Sequence, residues 1–264
     1  MVRPIKAESG NMPDSNSHAG VLENSPSAPA PFVGDSPPAA QFTQSPLVAV
    51  SVGRGENSAT YNIYKDLLTA HSPYCKASLE GRWEEAKNNC VKLEEHDPKA
   101  LQVIVNWLYR DPRTMNFLQV QSDLCAAVLP TYQLADKLLM PNLQNELVDV
   151  LRQRLLDNKS YTGLSSILTL RQAGMSSKPL YVFLLKLHVW MFCTYPKSYN
   201  NTLEQKITDV IKEDFDFGKV WIMYVQECLA KKWSDPRKET GCVYHDHLDG
   251  SECYLLRGVK RRHE

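Results

Sequence analysis

Hydrophobic positions first fall into a regular pattern at Leu47. Leu47, Val48, Val50 and Val52 make a run rich in β-branched side chains, the composition of a strand. GRGENS follows, with Gly53, Gly55 and Asn57 suited to positive φ. Thr60, Tyr61, Ile63 and Tyr64 make a second such run. Two strand-like runs joined by a glycine-rich turn predict a hairpin. A short helix is expected over 65–70. Ser72 before Pro73 supplies an N-cap and a proline at the first helical position. That helix should run through Tyr74, Ala77 and Leu79 and stop at Gly81. Cys90, Val91 and Leu93 predict a short third strand.

Asp97-Pro98 is the clearest helix start in the chain. Behind it Leu101, Ile104, Val105 and Leu108 fall on one helical face, and Val103, Trp107 and Tyr109 widen the apolar surface. A further helix is expected over 122–139, with Pro130 as a kink or a late start. Pro141 opens another, lined by Leu143, Leu147, Val150, Leu151 and Leu155. From about Tyr161 the pattern reads as helix only, including the apolar run PLYVFLLKLHVWMFCTYP. Lys186 and His188 interrupt that run, so it reads as a buried helix rather than a lipid span. Strands and helices are segregated, which defines an α+β class.

Composition adds a boundary. Half of the 16 prolines lie between Pro4 and Pro46, among Ser, Ala, Asn and Gly. Such a segment buries too little apolar surface to offset its ordering entropy, so 1–45 is expected to be a disordered leader. A polyproline ligand around Pro26, Pro29 and Pro31 is the functional alternative. Formal net charge is +0, which provides no whole-molecule field for nucleic acid or anionic membranes. The 7 cysteines are scattered, and the first residues lack the apolar core of a secretory signal. Reduced thiols and an intracellular protein, nuclear or cytoplasmic, are expected.

The segment from Tyr61 to Tyr109 resembles the BTB/POZ family in its fungal form. The resemblance rests on Lys65-Asp66-Leu67-Leu68, Ser72-Pro73-Tyr74, Leu79, Gly81, Val91-Lys92-Leu93, Asp97-Pro98 and Trp107-Leu108-Tyr109. Leu134-Ala135-Asp136-Lys137-Leu138 matches the family's later helix pair. It implies a BTB/POZ fold, a small sheet capped by a helix cluster, over 46–156. An all-helical region over 157–233 and a Cys/His-containing tail over 234–264 would follow. It also implies protein binding, self-association as a homodimer, and in many relatives a role as substrate adaptor for cullin-3 ubiquitin ligases. There a hydrophobic residue, any residue, then Glu docks the cullin. Trp83-Glu84-Glu85 holds that place, an aromatic anchor beside a carboxylate. The chain departs from the family at Tyr64-Lys65, where His often precedes Lys. It also has no Asp in LVAVSVG to pair with Lys65 in a dimer pocket. The alternative reading is a nuclear, transcription-linked scaffold that uses BTB for assembly, with the basic tail at Arg257, Lys260, Arg261, Arg262 and His263 for localisation.

No catalytic constellation appears. The glycines of GRGENS lack phosphate-loop spacing, and no Gly-x-Ser-x-Gly elbow occurs. Glu84-Glu85 and Glu94-Glu95 are adjacent pairs, the pattern of a solvated face, and Cys75 reads as a small buried thiol. The chain is read as non-enzymatic. One cluster stands apart. CVYHDHLDGSEC gathers Cys242, His245, His247 and Cys253, the donor types of a structural zinc site. His245 and His247 are expected on one side of an extended strand, with Asp249-Gly250 turning Cys253 back. The alternative is a surface hairpin whose Cys and His pack on the helices.

Overall fold

The computed structural model describes residues 10–11, 44–109, 124–196, 201–247 and 253. The proline-rich leader, apart from Gly10, Asn11, Gln44 and Ser45, lies outside them, as do Asp249-Gly250, where a turn is expected, and the basic tail.

Strand β1 (Leu47–Arg54) pairs antiparallel with β2 (Asn57–Tyr64), in register from Leu47↔Tyr64 to Arg54↔Asn57. Only Gly55 and Glu56 separate the strands. Gly55 has φ +58°, which suits the first position of a type II′ turn. Asn57, expected in the turn, already pairs with Arg54, because a two-residue loop has no place for it. Gly53 has φ +80°, and a Cβ there would lie 2.1 Å from the Asn57 carbonyl oxygen. Gly53→Ala should therefore cost about 1–3 kcal/mol in urea unfolding. A loss under about 0.5 kcal/mol, the range of neutral surface changes, would contradict this geometry.

Val48, Val50 and Val52 all face the core from β1. Strand β3 (Cys90–Leu93) joins the other edge of β1 in parallel, giving the order β2-β1-β3. A parallel pair needs a long crossover. Helices α1 (Lys65–His71), α2 (Pro73–Glu80) and α3 (Glu84–Asn88) supply it. Helix α4 (Pro98–Leu108) starts where the Asp97 carboxylate accepts the Lys99 N–H at 2.8 Å. Leu101, Ile104 and Leu108 are buried on it, and so are Val103 and Trp107, whereas Val105 is half-buried. Helix α5 (Leu124–Lys137) continues through Pro130, and α6 (Pro141–Asp157) packs beside it. The Trp107 indole N–H donates to Glu146 at 2.9 Å, tying α4 to α6.

Among the described residues four helices follow: α7 (Leu164–Gln172), α8 (Pro179–Thr194), α9 (Asn201–Glu213) and α10 (Phe215–Lys231). The stretch read as helix only also contains a two-residue strand, Ser160–Tyr161, paired antiparallel with Gly10–Asn11. Backbone pairing, rather than side-chain pattern, defines so short an element. Buried side chains from Val48 to Tyr244 form one continuous cluster, so the later helices pack directly on the sheet-bearing part. Helix α8 lies at its centre. The Lys186 ammonium escapes to the rings of Trp233 and Tyr244, 5.5 Å from each centroid. His188 is buried beside Thr162 and Tyr161. Among the described residues no helix is long and apolar enough to cross a membrane.

Candidate functional site

Two constellations singled out in the sequence are built on different elements, α2–α3 and α6 with the C-terminal tail. The first is the indole of Trp83. Its scaffold starts at Ser72, whose buried hydroxyl donates to the Leu138 carbonyl at 2.7 Å and accepts the Cys75 N–H at 3.1 Å. That hydroxyl caps α2 and ties it to the end of α5. The Lys65 ammonium donates to the Leu79 carbonyl at 3.2 Å, so it holds the last turn of α2. Gly81 ends α2 with φ −83°, not in the left-handed region. It is needed for closeness instead. A Cβ there would lie 2.7 Å from the Ala77 carbonyl oxygen and 2.8 Å from the Trp83 ring.

Trp83 precedes α3, and its carbonyl accepts the N–H groups of Ala86 and Lys87. Glu84 and Glu85 stand in the first turn, where carboxylates favour the helix dipole. At the other end Asn89 takes φ +51° and its side-chain amide donates to the Leu47 carbonyl at 2.9 Å. The short helix is thus pinned to β1. Trp83 is nonetheless 67% exposed. Glu84 is exposed and Glu85 half-buried. A large aromatic held on a fixed backbone and left in water suits contact with a protein partner.

The second constellation is the Cys/His group. The chain returns from α10 through a 3₁₀ turn (Pro236–Lys238) and then lies along α6. Asn145 pairs twice with Asp246: its amide donates to the Asp246 carbonyl and its oxygen accepts the Asp246 N–H, both at 2.8 Å. Arg152 donates to the Glu239 carbonyl at 2.8 Å. Tyr244 is buried with its ring 5.1 Å from that of Phe183. These contacts bring the ligand atoms of Cys242, His245, His247 and Cys253 within 4.8 Å of one another. His245 Nδ1 is 3.2 Å from Cys253 Sγ, and its Nε2 is 3.0 Å from the Asp149 carboxylate. Asp149 in turn lies 3.1 Å from Arg152.

The expected extended strand through His245 and His247 is absent. Cys242 to His245 form a turn, closed by the His245 N–H on the Cys242 carbonyl at 3.2 Å. Tyr244 is buried while Val243 is exposed, and residues 245–247 pair with no strand among the described residues. Sequence reading also missed Asn145, Asp149 and Arg152. They recur at i, i+4 and i+7, a polar stripe on a helix noticed only for its apolar face.

An open recess of about 460 Å³ lies between α7 and α9, lined by Leu168, Arg171 and Asp214 among others. Arg171 and Asp214 in its wall are occupied with the fold. Arg171 forms a bidentate pair with Asp214, and the hydrogen bond it donates holds that carboxyl below the usual range. Asp214 also accepts the Phe217 N–H at 2.9 Å to cap α10.

The family model of the BTB/POZ domain matches residues 47–155, from β1 to the last turns of α6. No curated protein matches the chain. The sheet order, the crossover of short helices and the capped α4 all fall within the matched segment. Residues 47–155 are a BTB/POZ domain, a protein-interaction fold, and a helical C-terminal region continues its core.

Proposed function

We propose that this chain is a substrate adaptor for a cullin-3 type ubiquitin ligase, with Trp83, Glu84 and Glu85 facing the cullin. The observation that carries the reading is the Trp83 indole, 67% exposed on a backbone pinned at both ends. Burying such a ring in a partner pocket, with a carboxylate beside it, is a hot-spot arrangement. An adaptor also needs a second surface for its target. Phe215, Ile222 and Leu229 recur every seven residues along α10, and each is more than half exposed. They support a role for the helical region in target contact.

Pull-down and titration against the cullin-3 amino-terminal half test the assignment. Trp83→Ala should weaken binding by about 30-fold or more, the equivalent of about 2 kcal/mol. Glu85→Ala should weaken it less. Stability of both variants should stay within about 0.5 kcal/mol of the parent, because Trp83 adds little to the core. Binding by both variants at the parent's level would remove these residues from the interface.

A further inference from the structure

We infer that Cys242, His245, His247 and Cys253 bind one structural zinc ion, with Asp149 of α6 orienting His245, and that this ion clasps the C-terminal tail onto the BTB/POZ domain. The inference is independent of cullin binding.

The donor set comes first. Two thiols and two imidazoles are the ligands zinc takes in closed, four-coordinate structural sites. Two thiolates cancel the charge of the ion. Bond lengths of about 2.0–2.1 Å to nitrogen and 2.3 Å to sulfur put neighbouring ligand atoms about 3.3–3.8 Å apart. The His245 Nδ1 to Cys253 Sγ separation is 3.2 Å, and all four ligand atoms lie within 4.8 Å of one another. Small rotamer adjustments close the rest.

The surroundings point the same way. His245 turns Nδ1 to the cluster and Nε2 to a carboxylate, the carboxylate–histidine–zinc relation that fixes a ligand's tautomer. Arg152 beside Asp149 balances that carboxylate. The Nε2 atom of His247 is out of contact with solvent and has no hydrogen-bond partner among the described residues. A buried polar atom left so costs about 1–3 kcal/mol, and a metal bond at this ring would remove the need for a protein partner.

Energetics favours an ion over self-contained packing. Ordering a residue costs about 1–2 kcal/mol in backbone entropy. Between residues 239 and 253 the described chain has no regular secondary structure, and it buries only Tyr244 and Cys253 fully. Thiols are weak hydrogen-bond donors and acceptors, so Cys242 and Cys253 are poor partners for the two imidazoles. Structural zinc supplies about 10–16 kcal/mol in small domains, enough to order a segment of this length. With four protein ligands no position stays open for water, so the site is structural and not catalytic.

The test uses the untagged full chain, incubated with zinc and dialysed, with metal measured by mass spectrometry. About one equivalent of zinc is expected for a single four-ligand site. Cobalt in its place should show the strong red d–d bands of a tetrahedral sulfur–nitrogen site. His247→Ala and Cys253→Ser should each fall below about a tenth of an equivalent. Asp149→Asn keeps all four ligands and should bind zinc about 10- to 100-fold more weakly. Parent protein holding less than about a tenth of an equivalent overturns the site. So does zinc retained in full by both ligand variants. Parent-like affinity in Asp149→Asn removes Asp149 from the arrangement.

Discussion

Arg237→Ala is expected to cost about 3–5 kcal/mol of folding stability, the loss seen when one partner of a buried ion pair is removed. The Arg237 side chain is only 3% exposed. Its guanidinium donates to Asp235 through Nε and Nη2 at 2.9 and 2.7 Å. Nη1 donates to the carbonyls of Ser160 at 3.0 Å and Leu155 at 3.3 Å. The Leu155 carbonyl lies in the last turn of α6, where backbone acceptors lack helical partners and a cation is favoured. The Trp190 ring covers the guanidinium at 5.5 Å. Alanine would strand the Asp235 carboxylate and two buried carbonyls at once. Arg237→Lys should recover less than half of the loss, since an ammonium cannot hold a planar fork of partners. Chemical denaturation reads both, and a loss under about 1 kcal/mol for Arg237→Ala would show that the network is not a stability element.

Acid should weaken the fold through His188. Burial lowers the His188 pKa to about 4, with a hydrogen bond to Thr162 opposing the shift in part. The unfolded chain takes up this proton near the ordinary histidine value of about 6.5. Between those two pH values the unfolded state binds a proton that the folded state refuses. Stability is therefore full above about pH 6.5, declines as pH falls, and stops declining from this source once the folded state also protonates near pH 4. The total loss is about 3 kcal/mol. Urea unfolding from pH 7 down to pH 4.5, in the parent and in His188→Gln, isolates this from the carboxylates. The variant should be less stable at pH 7 and show a flatter decline. Equal slopes in the two proteins would mean that His188 is not the group that responds.

Local signals were legible wherever the backbone itself demanded a residue type. Ser72-Pro73 and Asp97-Pro98 mark helix starts because orphan N–H groups need acceptors, and both serine and aspartate make those bonds. Gly55 was readable for the same reason. Side-chain pattern placed β1, β3 and α8, whose burial follows it. The ligand types of the Cys/His group were also visible, since thiols and imidazoles crowded into one segment stand out. Long-range partners were not. Nothing local links His245 to Asp149, Arg237 to Ser160, or Asn145 to Asp246, because the chain separates them and only packing of the tail on α6 brings them together. The extended form expected at His245 and His247 is replaced by a turn over Cys242 to His245, and Tyr244 within it packs on Phe183.

The family match covers the sheet and α1 to α6, and the core runs on through α8 to Tyr244. The tail packs on α6 of the interaction domain through Asn145, Asp149 and Arg152. Trp83 stands clear of this core, so the partner surface and the stability network can be altered separately.

Hydrogen exchange of the full chain, with and without the cullin-3 amino-terminal half, tests the central claim most directly. Slower exchange centred on the peptides spanning 81–89, lost in Trp83→Ala, is the predicted footprint. A complex that protects other segments and leaves 81–89 unchanged, or the absence of any complex, would contradict it.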